Sequence, residues 1–274
     1  MSIPQIMLRQ DGNLVPASIW DPKSTTLGTL RLWLEMTDIT TLSTDSGKTT
    51  RPTTTGDLIY VVADKSGNGS DMVQATSGNR PTAVINAIGD KPSVRFTRGS
   101  SQYLKLAAAV KVATPFTAYL LHKLSSSANT RCAMSGNATD SFCWYYSSGH
   151  VFAMDQTATV ALAGPAVAGL NLPISITNYV IHTITFDGTY FRDLWDGVPV
   201  QTYAAATGAT WSGTAFTTLG RREDTANTYH DGDIAGVRLY DGAIHTGRQI
   251  AMTVEDMYRR AGMIHRLTAF GNML

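Results

Sequence analysis

Residues 179–196 read YVIHTITFDGTYFRDLWD, and this stretch decides the fold class. Two runs rich in β-branched and aromatic residues flank Asp187 and Gly188, a dipeptide typical of the tight type I′ turn of a β-hairpin. A two-residue turn would make His182 and Asp193 direct cross-strand partners on one face of the hairpin. We interpret this pair as structural, because no nucleophile accompanies it.

Strand patterns of the same kind recur along most of the chain. Further candidates, separated by turn residues, are LRLWLEM (30–36), LIYVVAD (58–64), SVRFT (93–97), YLKLA (103–107), PFTAYLLHKL (115–124), CAMS (132–135), SFCWYYS (141–147), HVFAMD (150–155), FTTLG (216–220) and IAGVRLYD (234–241). No helical pattern lies among these strands. Their succession predicts an all-β antiparallel sandwich rather than a parallel α/β sheet.

One helix is predicted close to the C-terminus. Thr246 and Gln249 have the spacing of a capping box, and apolar residues then recur at helical spacing between Ile250 and Ala261. We therefore divide the chain into an N-terminal arm (1–27), a sandwich domain (28–262) and a C-terminal tail (263–274).

Composition excludes several classes of partner. The chain has 274 residues, 43% of them hydrophobic, which suits one large sandwich domain. Only 16% are charged and the net charge is +1, so no basic field is available for a nucleic acid or an anionic membrane. No apolar run approaches the ~20 residues of a membrane span, and the first residues do not have the pattern of a secretory signal.

Four stretches together resemble a known family. LWLEMTDITTL (32–42), VADKSGNGSDMVQATSGNRPT (62–82) and KPSVRFTRGSSQYLKL (91–106) are similar to the front half of concanavalin A-like, laminin G-like domains of bacteria and phages. HDGDIAGVRLYDGAI (230–244) is similar to the closing strand of that family. The resemblance covers residues from about 30 to 262 and implies a jelly-roll sandwich with one C-terminal helix.

Calcium is the one cofactor that the sequence suggests. The turn from Asp64 to Gly69 resembles the start of a calcium loop, but Ala75 stands where such a loop needs a bidentate Glu. We interpret it as a tight turn in which Asp64 accepts backbone N–H bonds. The cluster Asp224, Asp231 and Asp233 is the better calcium candidate, because laminin G-like domains sometimes hold calcium at the rim; a solvated Asp-rich loop is the alternative.

The hairpin at 141–155 carries the candidate carbohydrate-binding residues. A two-residue turn at 148–149 places Trp144 and Tyr146 on one face, with His150 at the turn. Sugars stack on exposed aromatic rings, and Trp211 and Tyr229 are further candidates for such a surface. The alternative is that these aromatic residues are covered and belong to packing.

The two cysteines, Cys132 and Cys143, are predicted to lie directly opposite each other across a turn centred between residues 137 and 138. That arrangement allows a disulfide, but synthesis in the cytoplasm favours reduced thiols. We therefore expect adjacent, reduced cysteines.

Catalysis is not expected. The chain has three glutamates, and none lies in the paired-carboxylate pattern that glycoside hydrolysis requires; Glu35 with Asp38, at a strand end, comes nearest. We predict no enzyme activity, with a jelly-roll glycoside hydrolase as the disfavoured third reading.

Two binding functions remain open. The first is a structural or adhesive protein on the surface of a phage-like particle, such as a head decoration, head fibre or tail-fibre component. It would be made in the host cytoplasm, form a homo-oligomer, contact other virion proteins through the arm and tail, and reach host glycans. The second is a lectin-like carbohydrate-binding module of a bacterial surface or secreted system, which would be extracellular.

Replacing Trp144 with alanine separates the two interpretations of the aromatic hairpin. If Trp144 belongs to a sugar site, the substitution abolishes glycan binding and leaves the thermal midpoint unchanged. If Trp144 is packed, it lowers the free energy of unfolding by ~3–5 kcal/mol. Thermal melting and glycan binding, measured on the same variant, distinguish these outcomes.

Overall fold

A computed structural model describes residues 6–8, 14–16, 20–125, 131–136, 142–147, 150–155, 178–204, 214–223 and 228–263. Within these ranges the chain forms two antiparallel eight-stranded sheets and one α-helix, which confirms the predicted jelly-roll sandwich. Among the described residues, no helix combines the length and the apolar character needed to cross a membrane.

The first sheet is built around β18 (Gly232–Asp241), the longest strand in the described part of the chain. Its strands are β3 (Thr29–Glu35), β7 (Thr82–Ile88), β8 (Lys91–Phe96), β10 (Phe116–Leu124), β14 (Val180–Phe186), β15 (Tyr190–Trp195), β16 (Val198–Ala204) and β18 (Gly232–Asp241). Their spatial order is β16-β15-β14-β10-β18-β8-β7. Strand β3 is not in this order, because it pairs with the same edge of β18 as β8 does, further along that strand.

The second sheet packs against the first. Its strands are β4 (Leu42–Ser43), β5 (Val61–Val62), β6 (Met72–Val73), β9 (Leu104–Val112), β11 (Arg131–Ser135), β12 (Phe142–Ser147), β13 (His150–Asp155) and β17 (Thr214–Leu219), in the order β13-β12-β11-β17-β9-β6-β5-β4. A separate hairpin joins β1 (Ile6–Leu8) to β2 (Leu14–Pro16) inside the segment predicted as an arm without strands. From Trp20 onward that segment packs on the sandwich, and Leu27 is fully buried.

The core between the two sheets consists of side chains that alternate inward along the strands. Leu34, Phe96, Leu120, Trp195 and Phe216 are among its buried members. Each buried side chain of this size stabilises the fold by ~1.5–3 kcal/mol relative to exposure. The alternation that predicted the strands therefore also supplies the packing between the sheets.

The turn after β5 has the structure predicted for it. The Asp64 carboxylate accepts the backbone N–H groups of Trp33, Ser66 and Ser70 at 3.0, 2.9 and 3.1 Å. The turn is thus closed by its own carboxylate and is tied to the middle of β3.

The hairpin of β14 and β15 corrects the predicted register. Phe186 pairs with Phe191 rather than with Thr189, three residues (187–189) instead of two separate the strands, and His182 lies opposite Trp195. The Asp187 side chain accepts the backbone N–H groups of Thr189 and Tyr190 at 2.8 and 2.6 Å, which stabilises the longer turn. The predicted His182–Asp193 hydrogen bond nevertheless forms, between diagonal neighbours on one face.

The predicted opposition of the cysteines is wrong. Cys132 pairs with Tyr145, and Cys143 pairs with Ser135, because a bulge interrupts β11 and its connection to β12 is longer than expected. The Cys132 thiol is buried and donates to the carbonyl of Met134 at 3.3 Å.

Helix α1 (Gly247–Arg260) covers the outer face of the first sheet. Its N-terminus has the predicted capping box, with reciprocal bonds between Thr246 and Gln249. Ile250, Val254 and Met257 are buried against the sheet, as their spacing predicts. One face of the sandwich is therefore closed by the helix.

Two buried histidines, His122 and His245, make the fold acid-sensitive. The rings of His182 and His230 lie 6.4 and 6.1 Å from that of His122 between the sheets, and burial followed by repulsion from those two rings lowers the pKa of His122 far below its usual range. His245 Nε2 lies 2.8 Å from the carbonyl oxygen of Leu27. A carbonyl only accepts, so Nε2 carries the proton and Nδ1 accepts from the Tyr119 hydroxyl at 2.6 Å. Burial lowers the pKa of His245 to about 4.

We expect the free energy of unfolding to fall as the pH is lowered from about 6.5 to about 4. Histidines of the unfolded chain take up protons below a pKa of ~6.5, whereas folded His245 stays neutral down to about 4, so this residue alone contributes a loss of about 3 kcal/mol. His245→Gln keeps one donor and one acceptor but does not titrate, and urea denaturation at pH 7, 6, 5 and 4.5 should show a shallower loss. An unchanged pH dependence in this variant would contradict the assignment.

Candidate functional site

The outer face of the second sheet carries a compact polar cluster, in which Thr218 and Ser135 are fully buried and Lys105 is exposed. Lys105 on β9 pairs with Thr218 on β17, which pairs with Ser135 on β11. The next position on each strand, Leu104, Leu219 and Met134 respectively, is buried in the core. Because side chains alternate along a strand, the row of Lys105, Thr218 and Ser135 lies on the outward face.

Glu223 joins this row to the segment that follows β17. Its carboxylate accepts from Lys105 Nζ at 2.6 Å, from Arg221 Nη2 at 3.1 Å and from the Thr218 hydroxyl. Its backbone N–H donates to Ser135 Oγ at 3.1 Å, and that hydroxyl donates to the carbonyl of Arg221 at 2.8 Å. The chain after β17 is thus folded back over the sheet by its own hydrogen bonds.

An aromatic ring borders this surface. The guanidinium carbon of Arg221 lies 4.0 Å from the ring centroid of Tyr103. Arg221 is also bridged to Tyr229 through the backbone. We define the Glu223 patch as Tyr103, Lys105, Ser135, Thr218, Arg221 and Glu223.

The protonation state of Glu223 decides what the patch can do. Burial would raise the pKa of Glu223, but the hydrogen bonds from Lys105, Thr218 and Arg221 outweigh burial and hold it below the usual range. Glu223 is therefore ionised at neutral pH and acts as an acceptor, while Lys105 and Arg221 donate. Among the described residues of the patch, Glu223 is the one carboxylate, and it is a hydrogen-bond acceptor.

Three of the candidate sugar-binding residues, Trp144, Tyr146 and His150, lie in the β12–β13 hairpin at one end of the second sheet. Tyr146 pairs with Val151 and Trp144 with Ala153, as predicted for the hairpin, and Ser147 pairs with His150. On the other side, Trp144 pairs with Met134, a buried core residue. Directly opposed residues occupy the same face of a sheet, so position 144 shares a face with Met134, and the choice between sugar binding and packing stays a prediction that Trp144→Ala tests.

Two candidates remain. Tyr229 is buried, and its backbone forms an isolated antiparallel β-bridge with Arg221 of the patch. Trp211 lies outside the described residues.

Of the calcium candidates, Asp233 is already bound by cationic side chains. Asp224 lies outside the described residues, and Asp231 is half-buried. Asp233 is fully buried on β18 and accepts two bonds from Arg95, at 2.6 and 2.9 Å, with Lys123 Nζ at 3.1 Å. A calcium ion at Asp233 would have to displace both cations, and no cluster of three acidic, histidine or cysteine side chains suited to a metal occurs in the described ranges.

Sequence reasoning missed Lys105, Arg221 and Glu223. Lys105 and Glu223 are 118 positions apart, so no local pattern joins them. One feature of the sequence could have pointed to Glu223. Glutamate is rare in this chain, with three in total, and Glu223 directly follows two arginines in GRRED (220–224).

Comparisons with known proteins agree with the fold. The chain is similar to domain 4 of an extracellular arabinanase from Geobacillus stearothermophilus in complex with arabinotriose, with 13% identity over 84% of this chain and 98% of that one, and a TM-score of 0.46. It is similar to an arabinofuranosidase complexed with arabinofuranosyl-α-1,2-xylobiose, with 14% identity over 74% of this chain and 51% of that one, and a TM-score of 0.50. It is also similar to the ligand-binding domain of botulinum neurotoxin serotype D in complex with N-acetylneuraminic acid, with 10% identity, 83% and 51% coverage, and a TM-score of 0.50.

The chain spans about half the length of the last two proteins. A comparison with curated protein sequences found no match. The family profile described as "Concanavalin A-like lectin/glucanases superfamily" matches residues 98–250, more than half of the chain. The protein belongs to the concanavalin A-like lectin/glucanases superfamily.

Proposed function

We propose that this protein is a carbohydrate-binding sandwich without catalytic activity, and that it binds sugar hydroxyls at the Glu223 patch. The observation that carries the proposal is the ionised Glu223 carboxylate held between two cationic donors beside the Tyr103 ring. An acceptor flanked by donors matches a hydroxyl, which donates and accepts at once. The ring and its neighbours supply a surface for the apolar face of a sugar.

The similar structures support this proposal at the level of ligand class. The domain that contains N-acetylneuraminic acid and the arabinofuranosidase that contains an arabinofuranosyl-xylobiose both hold carbohydrate. One of these two is an enzyme, so the absence of catalysis rests on the patch alone. Its single carboxylate, with a lowered pKa, suits binding rather than acid catalysis.

A structural role on the surface of a phage-like particle is the second candidate. The observation that favours it is the hairpin of β1 and β2, which in the described residues pairs with neither large sheet. Such an element offers an attachment point that leaves the sandwich free to bind glycans. In this role the segments 1–19 and 264–274 contact other virion proteins, and copies of the chain form a homo-oligomer.

Removing the charge of Glu223 tests the binding proposal. We expect Glu223→Gln to lower the affinity for the best ligand of an oligosaccharide array at least tenfold, because the substitution weakens acceptance from ligand hydroxyls. Isothermal titration calorimetry measures the affinity. Asp187→Asn, which weakens an exposed ion pair with Arg192 at the β14–β15 turn, is the matched control and should bind like the wild type. Equal affinity of Glu223→Gln and wild type would overturn the assignment.

Truncation tests the particle role. A chain of residues 20–263 keeps Trp20 and Leu27, which pack on the sandwich. We expect it to melt cooperatively near the full-length midpoint, and we expect light scattering to give an oligomer for the full chain but a monomer for the truncated chain. An unchanged oligomer in the truncated chain would exclude assembly through the termini.

A further inference from the structure

A polar cleft lies on the helix-covered side of the molecule, apart from the Glu223 patch. It forms where the end of β3, the turn between β7 and β8 and the C-terminal end of α1 meet, and it is open, with a volume of about 460 Å³. Glu35 and Asp38, the residues of the sequence that come nearest to a paired-carboxylate pattern, line this cleft, and the proposed function does not use it.

Two glycines fix the wall on the helix side. Gly89 and Gly262 have φ angles of +58° and +72°. A Cβ atom on Gly262 would lie 2.9 Å from the Asp90 carboxylate, and one on Gly89 would lie 3.0 Å from the carbonyl of Ala261. The turn and the helix end therefore approach too closely for side chains, which holds Arg260 beside Asp90 at the cleft.

Glu35 forms the floor of the cleft and is 6% exposed. Its Oε2 accepts from Trp33 Nε1 at 3.0 Å and its Oε1 from the Thr37 hydroxyl at 2.9 Å. A carboxylate oxygen can accept two bonds, so each oxygen keeps an acceptor position. Arg260 Nη1 lies 3.8 Å from Oε2, beyond a direct hydrogen bond. A hydroxyl between them would donate to Glu35 and accept from Arg260.

The charges around the cleft balance. Three carboxylates (Glu35, Asp38 and Asp90) and three cations (Lys65, Lys91 and Arg260) line it. Asp38 and Lys65 are already paired at 2.8 Å, and Asp90 and Lys91 lie 3.6 Å apart. An anion would meet the carboxylates, a cation would meet the ammonium and guanidinium groups, and either would have to break existing pairs.

Apart from Thr37, the remaining lining is apolar. Ile39, Ile85 and Pro92 line the cleft together with the paired charges. Fixed donors and acceptors beside an apolar surface match a ring that carries hydroxyls at its edge and C–H groups on its face.

We propose that this cleft is a second binding site, which takes a neutral oligosaccharide. The inference shares with the proposed function the chemical class of the ligand but not the site. Glu35 and Arg260 bridge one hydroxyl of the sugar, and Asp38 and Lys65 hold another. The Trp33 indole, whose N–H donates to Glu35, reports on any ligand that reaches that carboxylate.

Nuclear magnetic resonance of the ¹⁵N-labelled full chain tests the site directly. The five tryptophans give separate indole N–H signals, and Trp33→Phe identifies that of Trp33. The probes are the neutral trisaccharides cellotriose, xylotriose and maltotriose and the acidic trisaccharide 3′-sialyllactose. We expect at least one neutral trisaccharide to shift the Trp33 indole signal in a saturable manner, and the acidic sugar to leave it in place.

Variants separate this site from the Glu223 patch. Glu35→Gln should weaken the saturable shift at least tenfold, and Asp38→Asn, at a more exposed position, gives the same test if Glu35→Gln fails to fold. Glu223→Gln should leave the Trp33 shift intact. If a sugar binds without moving the Trp33 signal, the cleft is not its binding site, and the proposed function still holds. The same conclusion follows if Glu223→Gln abolishes binding and Glu35→Gln does not. A Trp33 shift with the acidic sugar alone overturns the ligand class, and no binding by any probe overturns both sites for these sugars.

Discussion

The Asp256 carboxylate, on the buried face of α1, ties the helix to the first sheet. It accepts from Arg238 of β18 at 2.7 Å and from Arg260 of the same helix at 2.8 Å. Arg238 and Asp256 are 1% and 2% exposed, so neither charge has water as an alternative partner. Burial would raise the pKa of Asp256, but the charges of Arg238 and Arg260 outweigh burial and keep it low. Breaking such a pair from one side costs about 3–5 kcal/mol, because the other charge stays buried.

The position of the helix determines where ligands can reach the molecule. While α1 covers the outer face of the first sheet, the two proposed binding sites lie on the second sheet and at the end of the helix. Both surfaces have the same chemistry: Glu223 lies between Lys105 and Arg221, as Glu35 lies near Arg260. In a chain with 16% charged residues, these charges are paired within the protein, which suits a ligand that offers hydroxyls rather than charges.

Local patterns of the sequence predicted the parts of the fold that depend on local physics. The capping box at Thr246, the Asp64 turn and the pairing of Trp144 with Ala153 each depend on residues close in the sequence. The register of the β14–β15 hairpin could not be predicted from Asp187–Gly188, because the Asp187 side chain stabilises a longer turn. Strand β16 was not predicted, because a proline such as Pro199 argues against a strand in the sequence. An edge strand nevertheless tolerates it, since one side of that strand makes no sheet hydrogen bonds.

The candidate site depends on distant residues and was out of reach of such patterns. Lys105 and Glu223 meet only because β9 and β17 are neighbours in the second sheet. The Asp224–Asp231–Asp233 hypothesis grouped residues that are close in sequence. Strand β18 instead directs Asp233 to Arg95 and Lys123 of the first sheet.

The most direct test of carbohydrate binding without catalysis is a ligand-observed magnetic resonance time course. The wild-type chain is incubated with a trisaccharide that it binds, and the sugar's anomeric signals are followed over several days. The account predicts broadened but otherwise unchanged signals, with the trisaccharide recovered intact. New reducing-end signals that grow with time would show hydrolysis and contradict it.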